Sequence, residues 1–436
     1  MQNTAIDGIL QKSVAIMIDI KLLRENPEYF QKAANEKQIK LDIHHILQID
    51  AVYRDLFQKV QTLREERNML IGAIQGKPSE DQIQKGKELK ERLEKEENAL
   101  RAVEEELNTW LYQIPNPPAV DVPIGKDETG NVEVKKVGDL PQFGFAPKPH
   151  EEIAQGLNGV DFKRAVKIAG RRAYILKGDV MLLEQALLRY ALDFMSANGF
   201  TPMTVPWMVN KEAMWGTGYF PWGMEDHYTT QDGQALIGTS EVGLTAYHQD
   251  EILDEKDLPV KLVGISPCFR REVGSYGKDT KGFIRVHQFN KVEQVVLTVA
   301  DEQVTRQWHE KMLGYSEEVL KKLGLAYRIL FMCTGDMGAG QRKKYDIETW
   351  FPSQNAYRET HSASYFNDFQ ARRLNMRYRD KDGNIRFVYT LNNTVAATPR
   401  LLAAVLENYQ QEDGSVVVPE VLRTYIGKDI LLPQGK

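Results

Sequence analysis

The chain has 436 residues, 42% of them hydrophobic and 27% charged, with a formal net charge of -5. That length and apolar content suffice for two or three domains and at least one large core, and the two cysteines, Cys268 and Cys333, lie too far apart in sequence to suggest a disulfide framework or a zinc site. The charge excludes broad nucleic-acid coating while leaving room for a local basic surface, and no apolar run reaches bilayer-spanning length, so the reading is a cytoplasmic protein with no membrane association.

Residues 1–16 read as a weakly patterned leader. Met17 precedes the first convincing element, Ile18-Asp-Ile-Lys-Leu-Leu, and Asn26-Pro27 is a helix-start signal. From Ile46 a heptad-like seam sets in through Ile49, Tyr53, Leu56, Val60, Leu63, Leu70 and Ile74, interrupted only by Arg67. After Gly76-Lys-Pro-Ser79 a second seam follows through Leu89, Leu93, Leu100, Val103, Leu107, Trp110 and Ile114. Two such helices joined by a short turn predict an antiparallel coiled-coil hairpin, each helix about 45 Å long, projecting as an arm. The pattern alone leaves self-association and polyanion binding open. Lys77, Lys85, Lys87, Lys90, Arg92 and Lys95 fall toward the outer half, with Glu104, Glu105 and Glu106 near the base, and a polyanion would prefer that tip.

Pro115-Asn-Pro-Pro118 ends the second helix, because consecutive prolines supply no N–H donors, and marks a domain boundary. The expected organisation is a leader (1–16), an N-terminal arm domain (17–118), a connector rich in Gly and Pro (119–149) and an α+β domain built on a largely antiparallel sheet (150–436). Its richest stretch runs from Cys268 to Glu293, two strand-like runs around a loop full of glycine and charge. The period of two places Arg270 with Glu272 on one strand, and Phe289 with Lys291 and Glu293 on the other. A guanidinium fork suits a phosphate and an aromatic ring stacks on a purine, although an ordinary charged surface hairpin would read similarly.

That hairpin closely resembles motif 2 of the class II aminoacyl-tRNA synthetases in its seryl-tRNA synthetase form, and the resemblance continues in the family's order from Met17 to about Ile426. Thr239-Ser-Glu-Val-Gly-Leu-Thr with Asp250-Glu-Ile-Leu resembles the serine-binding segment; Tyr345-Asp-Ile-Glu-Thr-Trp through Asp368-Phe-Gln-Ala-Arg-Arg resembles the ATP-site strand and loop. Leu391-Asn-Asn-Thr through Arg400, with Leu406-Glu-Asn-Tyr-Gln-Gln, resembles motif 3. Gly199-Phe-Thr-Pro-Met-Thr-Val-Pro206 is similar to motif 1, which makes the family's homodimer interface, and the hairpin is similar to the arm laid on the long variable region of serine tRNA.

The resemblance implies a serine–tRNA ligase that activates serine with ATP and loads serine tRNA, and selenocysteine tRNA where a cell has it. It implies that Arg270 grips the α-phosphate, Glu272 holds the adenine amino group, Phe289 stacks on adenine, Val286 adds backbone contacts and Arg400 binds the γ-phosphate. Arg270 and Arg400 are thereby the expected catalytic pair, with Arg271, Thr360 and His361 beside them around ATP, and Glu359 and Ser362 holding Mg2+. Thr239, Ser240 and Glu241 fall on the ammonium side of serine, Arg270 reaches its carboxylate, and Glu293 with Thr394 binds its hydroxyl, which discriminates against alanine.

Three departures from the family pattern stand out: Ser240 where alanine is usual; His361 where serine is usual, its side chain expected to face outward; and Asn393-Thr-Val-Ala-Ala-Thr-Pro399 in place of a run rich in Gly and Ser. The β-branch of Thr394 keeps a hydroxyl but stiffens the position. Two other functions are carried as alternatives, activation of an amino acid for a carrier protein and a non-catalytic RNA-binding paralogue. The arm argues against the first, and the retention of Arg270, Glu293 and Arg400 against the second.

Overall fold

The computed structural model describes residues 17–74, 76–273 and 282–433, and the chain divides between Pro117 and Pro118 into two compact units. The expectations for the leader and for the tip of the motif 2 loop lie outside the described residues.

In the first unit Asp19 caps α1 (Ile20–Glu25) by accepting the Leu22 N–H, and Pro27, which needs no N–H partner there, opens α2 (Pro27–Glu36). Asp42 caps α3 (Ile43–Gly72). Ser79 and Gln82 form a reciprocal capping box at the head of α4 (Glu80–Leu111), so the helix starts immediately after the Gly-Lys-Pro turn. The two long helices run antiparallel: Arg64 bonds Glu97 at 2.8 Å, and the ring of His45 meets that of Trp110 at 5.7 Å. Val60, Leu63, Leu89 and Leu93 form the buried seam, flanked by Leu70 and Leu100, while Arg67 faces solvent where the heptad pattern breaks. The hairpin is therefore the one the heptads predict, with its first helix beginning three residues ahead of Ile46.

The second unit is built on an eight-stranded sheet. Its strands are β1 (Val132–Val137), β2 (Thr201–Met203), β3 (Val260–Phe269), β4 (Gln288–Thr298), β5 (Tyr327–Phe331), β6 (Lys343–Phe351), β7 (Ala356–Asn367) and β8 (Tyr389–Ala397). The spatial order is β1-β5-β6-β7-β8-β4-β3-β2. Every pairing is antiparallel except that of β2 with β3. The unit has the α+β, antiparallel architecture expected from the sequence.

Val292 and Val296 of β4, Ile347 of β6, Ala363 and Tyr365 of β7 and Leu391 and Val395 of β8 form one continuous core with α5 (Gly178–Ala197), α7 (Glu302–Lys322) and α8 (Arg400–Asn408). Alternation then turns Phe289, Lys291 and Glu293 of β4 to the other face. Further along that face Val295 and Leu297 join a second apolar cluster with Leu244 of the short helix α6 (Glu241–Ala246). The polar strip thus lies on a sheet face whose reverse is fully packed, which fixes its strands against movement.

Candidate active site

Directly opposed residues of antiparallel strands share a face. Glu293 on β4 opposes Thr394 on β8, and on β7 Glu359 opposes Glu348, Ser362 opposes Asp346 and Ser364 opposes Lys344 of β6. A bulge between Glu359 and His361 inserts one extra residue into β7. Without it, residues 359 and 362 would point to opposite faces; with it, both reach the polar strip.

At one end of the strip Glu293, 2% exposed, is ion-paired with Lys291 and accepts the Thr394 hydroxyl at 3.2 Å. Burial pushes the Glu293 carboxyl above its usual range, and Lys291 offsets part of that rise. Next to it Glu241 accepts the Tyr219 hydroxyl at 2.6 Å and the Gln370 amide at 2.9 Å. Burial, with Glu241 adjacent, raises the Tyr219 phenol well above its ordinary value, so it serves as a fixed donor.

Further along, the Arg270 guanidinium lies 5.2 Å from the centre of the Phe289 ring, and β3 and β4 set these residues side by side, Cys268 opposing Phe289. Glu272 takes a positive φ of 55° and is ion-paired with Arg285 at 2.9 Å. Across the strip Arg400, first residue of α8, donates to the Glu359 carbonyl at 2.9 Å and its carboxylate at 3.0 Å, and to the Ile284 carbonyl at 3.3 Å. Burial acts to raise the Glu359 carboxyl, but Arg400 and Lys344 outweigh it and hold the group low. Asp346 is driven the other way, upward, by burial with Glu359 nearby, although Lys344 lies 2.9 Å away.

Most of these side chains line one cavity of about 260 Å³. It has an aromatic wall, two guanidiniums and a buried carboxylate end, which is the chemistry needed to hold a polyphosphate, a flat ring and a small amine with a hydroxyl together. For a divalent ion the cavity offers the Glu359 carboxylate and the Ser362 hydroxyl, and the strand partner of Ser362, Asp346, has a buried Oδ1 that lacks a hydrogen-bond partner. Among the described residues no group of three His, Cys, Asp or Glu side chains could hold a metal. This all-oxygen, incomplete donor set fits Mg2+, which takes its remaining ligands from phosphate and water.

Residues 17–118 match the family model of the seryl-tRNA synthetase N-terminal domain, and residues 225–409 that of the tRNA synthetase class II core domain (G, H, P, S and T). The chain is 44% identical over 422 residues to a serine–tRNA ligase of Deinococcus radiodurans, with 96% of this chain and 99% of that one covered. It is 45% identical over 420 residues to a serine–tRNA ligase of Brucella melitensis, with 94% and 98% covered. The crystal structure of seryl-tRNA synthetase from Pyrococcus horikoshii complexed with ATP superposes with a TM-score of 0.87 at 39% identity, covering 96% of this chain and all of that one. The chain belongs to the seryl-tRNA synthetases.

Of the residues singled out in the sequence of this synthetase, Glu241, Arg270, Glu272, Val286, Phe289, Glu293, Glu359, Thr360, His361, Ser362, Thr394 and Arg400 border the cavity. Thr239, Ser240 and Arg271 do not line it. The Thr239 hydroxyl accepts the Glu241 N–H at 3.2 Å, Ser240 donates to the Gly264 carbonyl at 3.3 Å, and Arg271 donates to the Glu225 carbonyl at 3.0 Å. Thr239 and Ser240 thus steady the segment that presents Glu241.

The outward-facing side chain expected for His361 is corrected. Its ring is 1% exposed, and the residue opposes core Ile347. Nε2 lies 3.1 Å from the Val395 carbonyl and Nδ1 2.8 Å from the Thr360 hydroxyl. Burial brings its pKa down to about 4. It is a neutral structural donor beneath the site, where a solvated imidazole had been expected.

Tyr219, Gln341, Lys344 and Asn392 also border the cavity, and sequence reasoning missed them. Lys291 was placed on the correct face by its spacing with Phe289 and Glu293 but given no role. Asn392 lies two residues before Thr394 on β8, so period two would have put it on the same face, whereas Tyr219, Gln341 and Lys344 carry no local signal, because each is brought in by a separate element.

Proposed function

We propose that the cavity joins serine and ATP into seryl-adenylate and that the seryl group then passes to a terminal ribose hydroxyl of serine tRNA, or of selenocysteine tRNA where one exists. The observation that carries this reading is the buried Glu293, Lys291 and Thr394 cluster at one end of a cavity otherwise lined by Arg270, Phe289 and Arg400. Phe289 takes adenine, Glu272 its amino group and the Val286 backbone its edge. Arg270 takes the α-phosphate and serine carboxylate, and Arg400 the γ-phosphate. Glu241, supported by Tyr219 and Gln370 and steadied through Thr239 and Ser240, faces the serine ammonium. Glu293 and Thr394 take the hydroxyl.

No protein nucleophile is needed. The serine carboxylate oxygen attacks the α-phosphorus, the bond to the bridging oxygen breaks, and pyrophosphate leaves with its charge facing fixed guanidiniums. Magnesium held by Glu359 and Ser362 would neutralise phosphate charge. The helical hairpin of the first unit is the part suited to the long variable region of the tRNA. Homodimerisation through the segment around Pro206 is supported by the exposure of the adjacent Trp207 and Met208. Among the described residues no helix is long and apolar enough to cross a membrane, which is consistent with work in the cytoplasm.

Exchange of labelled pyrophosphate into ATP, run with serine, threonine, alanine and cysteine, tests the reading. Exchange that depends on serine and exceeds that with alanine by several orders of magnitude is expected; absence of serine-dependent exchange by folded protein with Mg2+ present would reject it.

A further inference from the structure

The return limb of motif 2 meets the motif 3 helix through a buried group that the proposed chemistry does not use. His150 is 2% exposed and begins the short helix His150–Gly156. Its Nδ1 lies 2.9 Å from Glu407 Oε1, and the same carboxylate oxygen accepts the His150 backbone N–H at 3.1 Å. On the other side of the ring, Nε2 accepts the backbone N–H of Phe283 at 3.3 Å. The Glu151 carboxylate comes within 3.5 Å of that nitrogen.

An acceptor at Nε2 requires the proton at Nδ1, which is where Glu407 sits. Glu407 is itself fully buried and accepts the Ser353 N–H at 3.1 Å with its second oxygen. The Phe283 ring stands edge-on to the imidazole at 4.7 Å and stacks near Tyr174 at 5.8 Å. Gly282 takes a φ of +70°, and a Cβ there would come within 2.2 Å of His150 Nε2. Backbone and imidazole are in close, specific contact.

What this contact holds is the nucleotide wall. Ile284 and Val286 border the cavity just beyond Phe283, Arg285 holds Glu272 at 2.9 Å, and the Ile284 carbonyl accepts from Arg400 at 3.3 Å. Arg400 and Glu407 belong to one helix, α8. The segment 282–286 is therefore tied to that helix twice, directly through Arg400 and indirectly through His150 and Glu407. A single tie lets the limb pivot, whereas two fix its distance and its angle.

We propose that His150 is a positioning residue for ATP: by accepting the Phe283 N–H while held by Glu407, it sets the motif 2 wall at the spacing from Arg400 that the nucleotide needs. The inference rests on the proposed placement of ATP in this cavity. His150→Asn keeps a donor near the place of Nδ1 but has no acceptor for Phe283, whereas His150→Gln places an amide oxygen near Nε2.

In pyrophosphate exchange the full-length His150→Asn enzyme should show an ATP KM raised about ten-fold, the worth of one buried hydrogen bond, with the serine KM within about two-fold of the parent. His150→Gln should recover most of the ATP KM. An ATP KM unchanged in His150→Asn despite a lowered melting temperature, or equal effects of Asn and Gln, overturns the proposal. Should His150→Asn fail to fold, Gly282→Ala reads the same contact from the other side, and an unchanged ATP KM in that variant overturns it too. Arg400→Ala, measured alongside, separates the levels. If it leaves the ATP KM unaltered, the placement of ATP is wrong; if it acts while His150→Asn does not, only the role of His150 fails.

Discussion

Glu293→Gln separates the ion pair that Glu293 makes with Lys291 from the serine-binding duty proposed for the same buried carboxylate. Glutamine keeps the length of the side chain and an oxygen for the Thr394 hydroxyl, now 3.2 Å from Glu293. It removes the anion from Lys291, which is only 6% exposed, and its amide presents a donor to an ammonium. Breaking a buried pair by deleting one partner costs about 3–5 kcal/mol; we take about 3 because Lys291 borders the cavity and water can reach it. The melting temperature of a unit this large should fall by roughly 3–5 °C. The hydroxyl of bound serine would then donate to a neutral amide where it had a carboxylate, a loss of about 1–1.5 kcal/mol, or roughly ten-fold in kcat/KM for serine. Alanine has no hydroxyl and loses nothing by this route, so the ratio of serine to alanine activation should fall by the same factor. Pyrophosphate exchange with both amino acids, beside a thermal melt, reads both effects. A lowered melt with the serine-to-alanine ratio preserved within two-fold would show that Glu293 only stabilises the strand, and the assignment of the serine pocket would be wrong.

Arg400→Ala removes a charge-assisted bond to Glu359 and the tie to Ile284, and the ATP KM should rise by roughly a hundred-fold with the serine KM little changed; a folded variant with normal ATP KM would take the arginine out of the phosphate site. Replacing residues 46–114 by a short glycine linker should spare pyrophosphate exchange and abolish charging of serine tRNA, and unchanged charging would remove the arm from tRNA binding. His309 bears on stability alone: its ring is 1% exposed, with Nε2 3.0 Å from the Ala363 carbonyl, and burial lowers its pKa to about 4. The unfolded chain binds that proton near pH 6.5 and the folded chain near 4, so stability falls as pH drops through this window, by about 2 kcal/mol between pH 7 and 4.5. His309→Gln keeps a donor for the carbonyl and should flatten that part of the denaturation profile; an unchanged acid slope would refute the buried neutral imidazole.

How much of this could be read from the sequence follows from how each feature is encoded. The arm is local: heptads, a Gly-Lys-Pro turn and the Ser79 and Gln82 capping box all lie within one stretch of chain, and the observed helices differ from the heptad limits by a few residues because Asp42 caps ahead of the first seam residue. The hairpin of β3 and β4 is nearly as local, and period two alone put Phe289, Lys291 and Glu293 on one face. The rest of the site required pairings that no single segment records. Lys344 reaches the cavity only because β6 lies beside β7 in one particular register, and Tyr219 because Glu241 draws its hydroxyl across from another element.

His361 shows the same limit from the opposite side. Strict alternation puts residues 359 and 361 together and 362 opposite, which is incompatible with Glu359 and Ser362 sharing a site. The bulge in β7 removes the conflict by inserting a residue, which keeps Glu359 and Ser362 on one face. It also decides where the imidazole goes. Once Glu359 and Ser362 both face the strip, the ring beside them has to enter the core, where it is tolerated because Val395 and Thr360 satisfy both of its nitrogens. A serine at that position would make no such bridge from β7 to β8. The departure from the family pattern at His361 is thus accounted for by packing beneath the site, and the polar strip above it keeps Arg270, Glu293, Glu359, Ser362, Thr394 and Arg400 at the cavity wall.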